Sequence, residues 1–223
     1  GAVGPDWESW SCILRRRREG VRLRMGDDAP LLWHQGALQV FARVIHGQAR
    51  ITAFETGARF PFECLDVLCS ALLTLPALTN VSFEQLDDAG PEEGQSLESM
   101  VKLLQSPVLR EVTFQSIVFT NTLSQAVAKA LKERSEITDL RFLFCSFPEG
   151  GGAVIASVLK TSTTLKSLDF QSSADEDFCE VLAEALLSNS TLQNISFDGS
   201  GSYSRLSPLF LALQVNEGLT KLS

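Results

Sequence analysis

The sequence predicts an α/β fold of about six or seven stacked strand–helix units that share one parallel sheet. Three observations lead to this prediction: an apolar motif that ends in phenylalanine, a nearly constant interval between its copies, and an apolar helix pattern before each copy. Regular repeats of this length are typical of solenoids, in which neighbouring units bury one continuous core. We therefore expect a horseshoe or arc with the strands on its concave face and the helices on its convex face.

The motif has the form apolar-x-x-apolar-x-Phe, and its second half alternates with the period of two of a strand that is buried on one face. Complete copies begin at Leu78, Leu109, Ile137, Leu165 and Leu192. A weaker copy begins at Ile51, where Thr56 replaces the phenylalanine, and an incomplete copy begins at Leu219. Successive copies start 27, 31, 28, 28, 27 and 27 residues apart. Each copy predicts one strand.

Apolar residues at fixed distances before each motif predict one helix per unit. In the unit that leads to Ile137, the residues Val127, Ala128 and Leu131 precede the motif by ten, nine and six positions. This i, i+1, i+4 grouping places side chains on one face of a helix. A single unit buries too little apolar surface to offset the entropy lost on ordering its backbone, so the units must stack.

The amino-terminal residues 1–20 lack the motif and are predicted to form a cap on a repeat domain at 21–223. A short helix is expected there, with its bulky side formed by Trp7, Trp10, Ile13 and Leu14. This helix would cover a first strand at Val21–Met25. The four consecutive arginines Arg15–Arg18 are consistent with a solvent-exposed edge of the cap. They are also consistent with a nuclear-localisation signal or a phosphate-binding patch.

The segment Ile137–Phe147 fits the consensus L-x-x-L-x-L-x-x-N/C-x-L at every fixed position, with Ile and Phe allowed for Leu. Residues 36–223 therefore resemble leucine-rich-repeat proteins. The segment Ser190–Phe197 is similar to the repeats of the helix-containing subclass, which is typified by ribonuclease inhibitor. The same subclass occurs in nucleotide-binding immune receptors and Ran GTPase-activating proteins. Leu, Ile or Ser replaces the consensus Asn/Cys in most other units, so the buried polar ladder of the family is expected to be largely missing. The resemblance implies a fold and leaves the function open.

No catalytic, cofactor or metal site can be recognised in the sequence, and we expect a protein that is not an enzyme and binds no cofactor. His34 and His46 lie in no metal-binding spacing, and the five cysteines form no zinc pattern. The glycine-rich segment 149–152 lacks the Gly-Lys-Ser/Thr of a phosphate-binding loop. No apolar run approaches the roughly 18 residues of a membrane span. The odd cysteine count favours a reducing, cytoplasmic location.

Polar strand residues are predicted to point into the concave side and to form a partner-binding surface. We expect this surface to include Glu55, Glu84, Glu111, Thr113, Asp139, Arg141, Asp169, Gln171 and Asp198. Its carboxylates are expected to face only Arg141, with Lys221 at the far end, which gives a negative potential. Together with the net charge of −8, this potential disfavours nucleic acid and favours a basic protein or peptide.

Three functional hypotheses follow. The first is a non-catalytic scaffold that binds a basic protein or peptide through the acidic concave sheet, although the same charges would also serve solubility alone. The second is a structural or regulatory subunit of a larger assembly, held through its ends or its helical face. The third, an activator of a small GTPase, rests only on the family resemblance.

Overall fold

A single sheet organises the chain in the computed structural model, which describes residues 12–17, 20–25, 35–57, 60–84, 97–133, 135–171, 176–197 and 207–222. The nine strands of these ranges lie side by side in the order in which they occur in the sequence. The first strand is antiparallel to the second, and the strands from the second to the ninth are parallel. The predicted parallel sheet is therefore confirmed.

Strands and helices alternate along the chain. The described strands are β1 (Cys12–Arg17), β2 (Gly20–Met25), β3 (Ile51–Glu55), β4 (Asn80–Glu84), β5 (Glu111–Gln115), β6 (Asp139–Leu143), β7 (Ser167–Gln171), β8 (Asn194–Phe197) and β9 (Lys221–Leu222). The described α-helices are α1 (Gln35–Ile45), α2 (Leu65–Leu72), α3 (Glu98–Leu104), α4 (Asn121–Lys132), α5 (Gly151–Val158), α6 (Glu176–Ser188) and α7 (Ser207–Val215). The predicted α/β class and the strand–helix repeat are confirmed.

The phenylalanines of the motif align as one column across the sheet. Phe83, Phe114, Phe142, Phe170 and Phe197 lie opposite one another on strands β4 to β8. The first four are at most 1% exposed. A slip of one residue between strands would turn this column to the other face of the sheet, so burial of the rings fixes the register.

The helices pack beside one another in chain order and share one apolar core with the inward side chains of the strands. In α4, Val127 and Ala128 are buried, as the helix pattern predicts. The same helix begins after Thr120, whose hydroxyl accepts a hydrogen bond of 3.4 Å from the Leu123 amide and so caps the first turn. All seven described helices thus cover one face of the sheet.

The prediction of a short amino-terminal helix is wrong for Ile13 and Leu14, which lie in β1. This strand pairs with β2 along its whole length. Short apolar runs fit helical and extended periods equally well, and here the free edge of β2 provides hydrogen-bond partners for a strand. Trp7 and Trp10 lie outside the described residues. The first strand expected at Val21–Met25 is confirmed as part of β2.

Candidate functional site

The candidate site is the face of the sheet that is not covered by the helices, which we call the outward face. It is formed by alternate strand residues, whose neighbours along each strand point into the core. One row across the sheet contains Arg22, Ala53, Asn80, Glu111, Asp139, Ser167, Asn194 and Lys221. The next contains Arg24, Glu55, Ser82, Thr113, Arg141, Asp169 and Ser196. A third contains Glu84, Gln115, Leu143 and Gln171.

Two arginines of β2 lie against the carboxylates at the amino-terminal end of the outward face. Arg22 forms an ion pair with Glu55. The guanidinium of Arg24 lies 3.9 Å from Glu55 Oε2 and 3.6 Å from Glu84 Oε2. The parallel pairing of β2 with β3 places both arginines near Glu55, and Arg24 also reaches Glu84 on the following strand, β4. The negative charge at this end is therefore compensated within the protein.

The prediction that the outward carboxylates face only Arg141 and Lys221 is therefore wrong. Sequence reasoning missed Arg22 and Arg24 because the repeat motif begins only at Ile51. A signal was nevertheless present, because β2 alternates apolar and basic residues, and this alternation assigns both arginines to one face of the strand.

A second ion pair lies near the middle of the outward face. The Arg141 guanidinium approaches Glu111 Oε1 at 3.0 Å. The side-chain amide of Asn80 donates a hydrogen bond to Glu111 Oε2, and the hydroxyl of Thr79 donates to Asn80 Oδ1 at 2.6 Å. Both oxygens of Glu111 thus have protein partners. Arg141 is opposite Asp169 in the sheet register, yet its charge is directed to the strand on the other side.

A polar cavity of about 210 Å³ opens on the outward face of β2 to β6. Its lining includes Arg22, Glu55, Asn80, Ser82, Glu84, Glu111, Thr113, Gln115 and Arg141. Small side chains at Ala53 and Ser82 leave room between the longer charged ones. The volume corresponds to about seven water molecules or one polar side chain of a partner. Charged side chains of both signs line it, so it suits a polar group rather than an apolar one.

Two aspartates further along the sheet take part in no ion pair with the described residues. Asp139 Oδ2 accepts a hydrogen bond of 2.7 Å from the Thr138 hydroxyl. Asp169 Oδ2 accepts one of 3.4 Å from the side-chain amide of Gln171. The other oxygen of Asp169, Oδ1, is buried and has no hydrogen-bond partner in the described part of the chain. Among the described residues, carboxylates of the outward face without an ion-pair partner are thus found on β6 and β7.

Of the predicted site residues, all but Asp198 lie within the described ranges, and all of these lie on the outward face. The cavity brings together Glu55, Glu84, Glu111, Thr113 and Arg141. Asp139, Asp169 and Gln171 lie beside it on β6 and β7. Asp198 lies outside the residues that the structure describes.

Four of the five cysteines are poor candidates for chemistry because they are buried. The side chains of Cys64, Cys69, Cys145 and Cys179 are buried in the core. Loss of hydration raises the pKa of the Cys145 thiol to about 12 and raises the pKa values of Cys64 and Cys69. Within the described ranges, no three His, Cys, Asp or Glu side chains come together in a way that could hold a metal ion.

The glycine-rich segment serves the packing of α5. A Cβ atom on Gly151 would lie 2.5 Å from Ser124 Oγ, and one on Gly152 would lie 3.2 Å from the ring of Phe178. Both glycines are buried in the first turn of the helix. Their lack of a side chain lets α5 approach its neighbours closely, which gives a structural reason for the motif.

Comparison of the chain with protein-family models and with curated proteins finds no match. Within the described ranges, no helix has both the length and the apolar character needed to cross a lipid bilayer.

Proposed function

We propose that this chain is a leucine-rich-repeat solenoid that acts as a non-catalytic scaffold and binds a protein or peptide through the outward face of its sheet. The stacked strand–helix units and the match of Ile137–Phe147 to the repeat consensus support the family proposal. In a solenoid of this kind the sheet curves, and the outward face becomes the concave side. A surface that spans eight parallel strands suits an extended partner better than a small molecule.

The observation that carries the proposal is the uncompensated pair Asp139 and Asp169. On the described outward face, five carboxylates stand against four cations, Arg22, Arg24, Arg141 and Lys221, so the face as a whole is nearly neutral. The two aspartates lie on adjacent strands, and the unpartnered Oδ1 of Asp169 lacks a donor. A lysine or arginine of a partner would supply the missing positive charge beside these two half-buried carboxylates, while Oδ1 of Asp169 is itself buried and out of its reach.

Peptide selection tests this proposal. A random peptide library displayed on phage is selected on the wild-type protein, and the recovered peptide is titrated by calorimetry. We expect recovered peptides to be rich in Lys and Arg and to bind about tenfold more weakly to an Asp139→Asn/Asp169→Asn variant. The matched control is Glu136→Gln/Glu180→Gln, which removes two exposed carboxylates away from the outward face. Equal losses in both variants, or peptides without basic residues, would contradict the proposal.

Exposed apolar residues at the last described unit favour the second hypothesis, a subunit held through its ends. Phe210 is 47% exposed, whereas Met100 and Ala156, at the same repeat position in two earlier units, are each 1% exposed. Leu222 of β9 is likewise 55% exposed. Multi-angle light scattering on wild type and on Phe210→Ser tests self-association through this end, which requires an oligomer that the variant loses.

A further inference from the structure

Phe144 differs from the phenylalanines around it. It follows β6, and its side chain is 67% exposed, the largest value among the exposed large apolar residues of the described ranges. Phe142 and Phe147, on either side of it in the sequence, pack in the core with ring centroids 5.4 Å apart. One aromatic ring therefore faces water in a segment that buries its other rings.

The backbone at Phe144 is also unfavourable for this residue. Its φ angle is 54°, in the left-handed region that bulky L-residues rarely adopt. Ser116, at the same place after β5, has a φ angle of 53°. The amide of Ser116 donates to the Leu143 carbonyl at 2.8 Å, and the amide of Phe144 donates to the Gln171 carbonyl at 2.6 Å. Hydrogen bonds between successive units set this turn, and glycine or asparagine would suit it better.

Phe144 follows the strand β6, which carries one of the two aspartates without an ion-pair partner among the described residues. Leu143, the preceding residue, is half-buried in the third row, opposite Gln171 on β7. Asp169 lies two residues before Gln171 on the same strand. With a rise of about 3.3 Å per residue and a strand spacing of about 4.8 Å, the Cα atoms of Phe144 and Asp169 are about 11 Å apart. An apolar contact and a carboxylate are thus within reach of one short peptide.

We infer that Phe144 is an apolar anchor for the protein partner of the outward face, an inference that rests on the proposed function. The partner presents a Lys or Arg to Asp169, beside which Asp139 adds negative charge from the adjacent strand, and an apolar side chain to Phe144 and Leu143. The Cα atom of Phe144 is about 11 Å from that of Asp169. About three residues of an extended chain span that distance. Exposed aromatic side chains give large contact area at low entropic cost and dominate many interfaces, while the charges orient the partner. This role would explain why a phenylalanine occurs at position 144, where the side chain is exposed and the backbone conformation is unfavourable for it.

The test compares one substitution at two equivalent turns. Phe144→Asn removes the ring and suits the left-handed backbone, so the variant is expected to fold. Ser116→Asn places the same residue at the same turn of the preceding unit and is the matched control. The probe is the synthetic peptide recovered by phage selection on the wild-type protein. We expect it to contain a basic and an apolar residue about three positions apart, to bind Phe144→Asn about tenfold more weakly, and to bind Ser116→Asn within about twofold of wild type.

The outcomes separate the two proposals. If Phe144→Asn binds like wild type while Asp139→Asn/Asp169→Asn binds more weakly, the anchor is refuted and the proposed function stands. If neither variant changes the affinity, both proposals fail. Loss of binding by Ser116→Asn as large as that by Phe144→Asn would also overturn the anchor, because the effect would then come from the turn and not from the ring. Circular dichroism on each variant verifies that the fold is retained.

Discussion

The rings of Phe114 and Phe142 stack across neighbouring strands, with centroids 5.6 Å apart and planes inclined by 12°. Phe119, between β5 and α4, packs edge-on against both rings at 5.1 and 5.2 Å. Aromatic pairs in these arrangements stabilise a fold beyond the effect of area burial alone. The phenylalanine column therefore joins successive units as well as filling their core.

Phe142→Ala is expected to lower the free energy of unfolding by about 3 to 5 kcal/mol, because it leaves a cavity among closely packed rings. Urea denaturation followed by circular dichroism measures the change. The control is Phe144→Ala, two residues away, which removes the same ring from a side chain that is 67% exposed. A comparable loss in the control would mean that the ring of Phe144 contributes to the fold as much as the stack does.

The phenylalanine column could be predicted from the sequence, because every unit shows the same repeat interval and the same alternation of apolar and polar residues in its strand. Thr56 lacks the ring, yet its hydroxyl accepts a hydrogen bond of 2.7 Å from the Glu84 amide, so it keeps its place in the sheet by a different contact. The nature of β1 could not be predicted, because its pairing depends on the free edge of β2 and not on a pattern of its own.

The charge balance of the outward face was predicted incorrectly for a similar reason. A sum of the charges at the repeat positions includes Glu55 and Glu84. It omits the strand before the first motif, which contains Arg22 and Arg24. The partners of each charge also depend on side-chain direction. In the sheet register Arg141 lies directly opposite Asp169 and diagonal to Glu111, and only the structure reveals its pairing with Glu111.

Asn189 carries a polar link between units that the sequence did not predict. Its amide nitrogen donates to the carbonyl oxygens of Leu159 at 2.6 Å and Ser162 at 3.1 Å. Its Oδ1 accepts from the amide of Leu192 at 2.9 Å. Asn216, one unit later, makes the corresponding bonds. Polar links thus occur before the strands, whereas the consensus predicts a ladder after them.

Asn189→Ala is expected to cost about 2 to 4 kcal/mol of unfolding free energy, since it leaves buried backbone groups of two units without partners. Asn121→Ala, at an exposed position of α4, should stay within about 0.5 kcal/mol of wild type. Chemical denaturation of the two variants under identical conditions gives the comparison. Equal stabilities would show that water replaces the missing amide at Asn189.

The buried thiol of Cys145 predicts a loss of stability in alkaline solution. Its pKa is raised from 9.0 to about 12 in the folded chain. The unfolded thiol therefore ionises first, and the stability that this group contributes is complete below pH 9 and is lost as the pH rises towards 12. The difference in unfolding free energy between wild type and Cys145→Ala should thus shrink by about 1.4 kcal/mol from pH 8 to pH 10.

Denaturation of both proteins in the presence of a reducing agent, at each pH, measures that difference. Titration of all other groups is common to the two proteins and cancels in the comparison. A difference that stays constant between the two pH values would mean that the Cys145 thiol ionises as readily in the folded chain as in the unfolded one.

The left-handed backbone at Phe144 predicts a variant that gains stability. Phe144→Gly relieves a conformation that costs other residues about 1 to 2 kcal/mol, while the added freedom of glycine in the unfolded chain costs about 0.5 to 1 kcal/mol. We therefore expect a net gain of roughly 0.5 to 1 kcal/mol in thermal or chemical denaturation. Leu143→Gly, the same replacement in the adjacent strand residue, should instead destabilise the protein, because its extended backbone favours a side chain. A loss of stability in both variants would indicate that the Phe144 ring stabilises the fold. A gain of stability in Phe144→Gly alone would mean that the phenylalanine serves a role other than folding, such as binding.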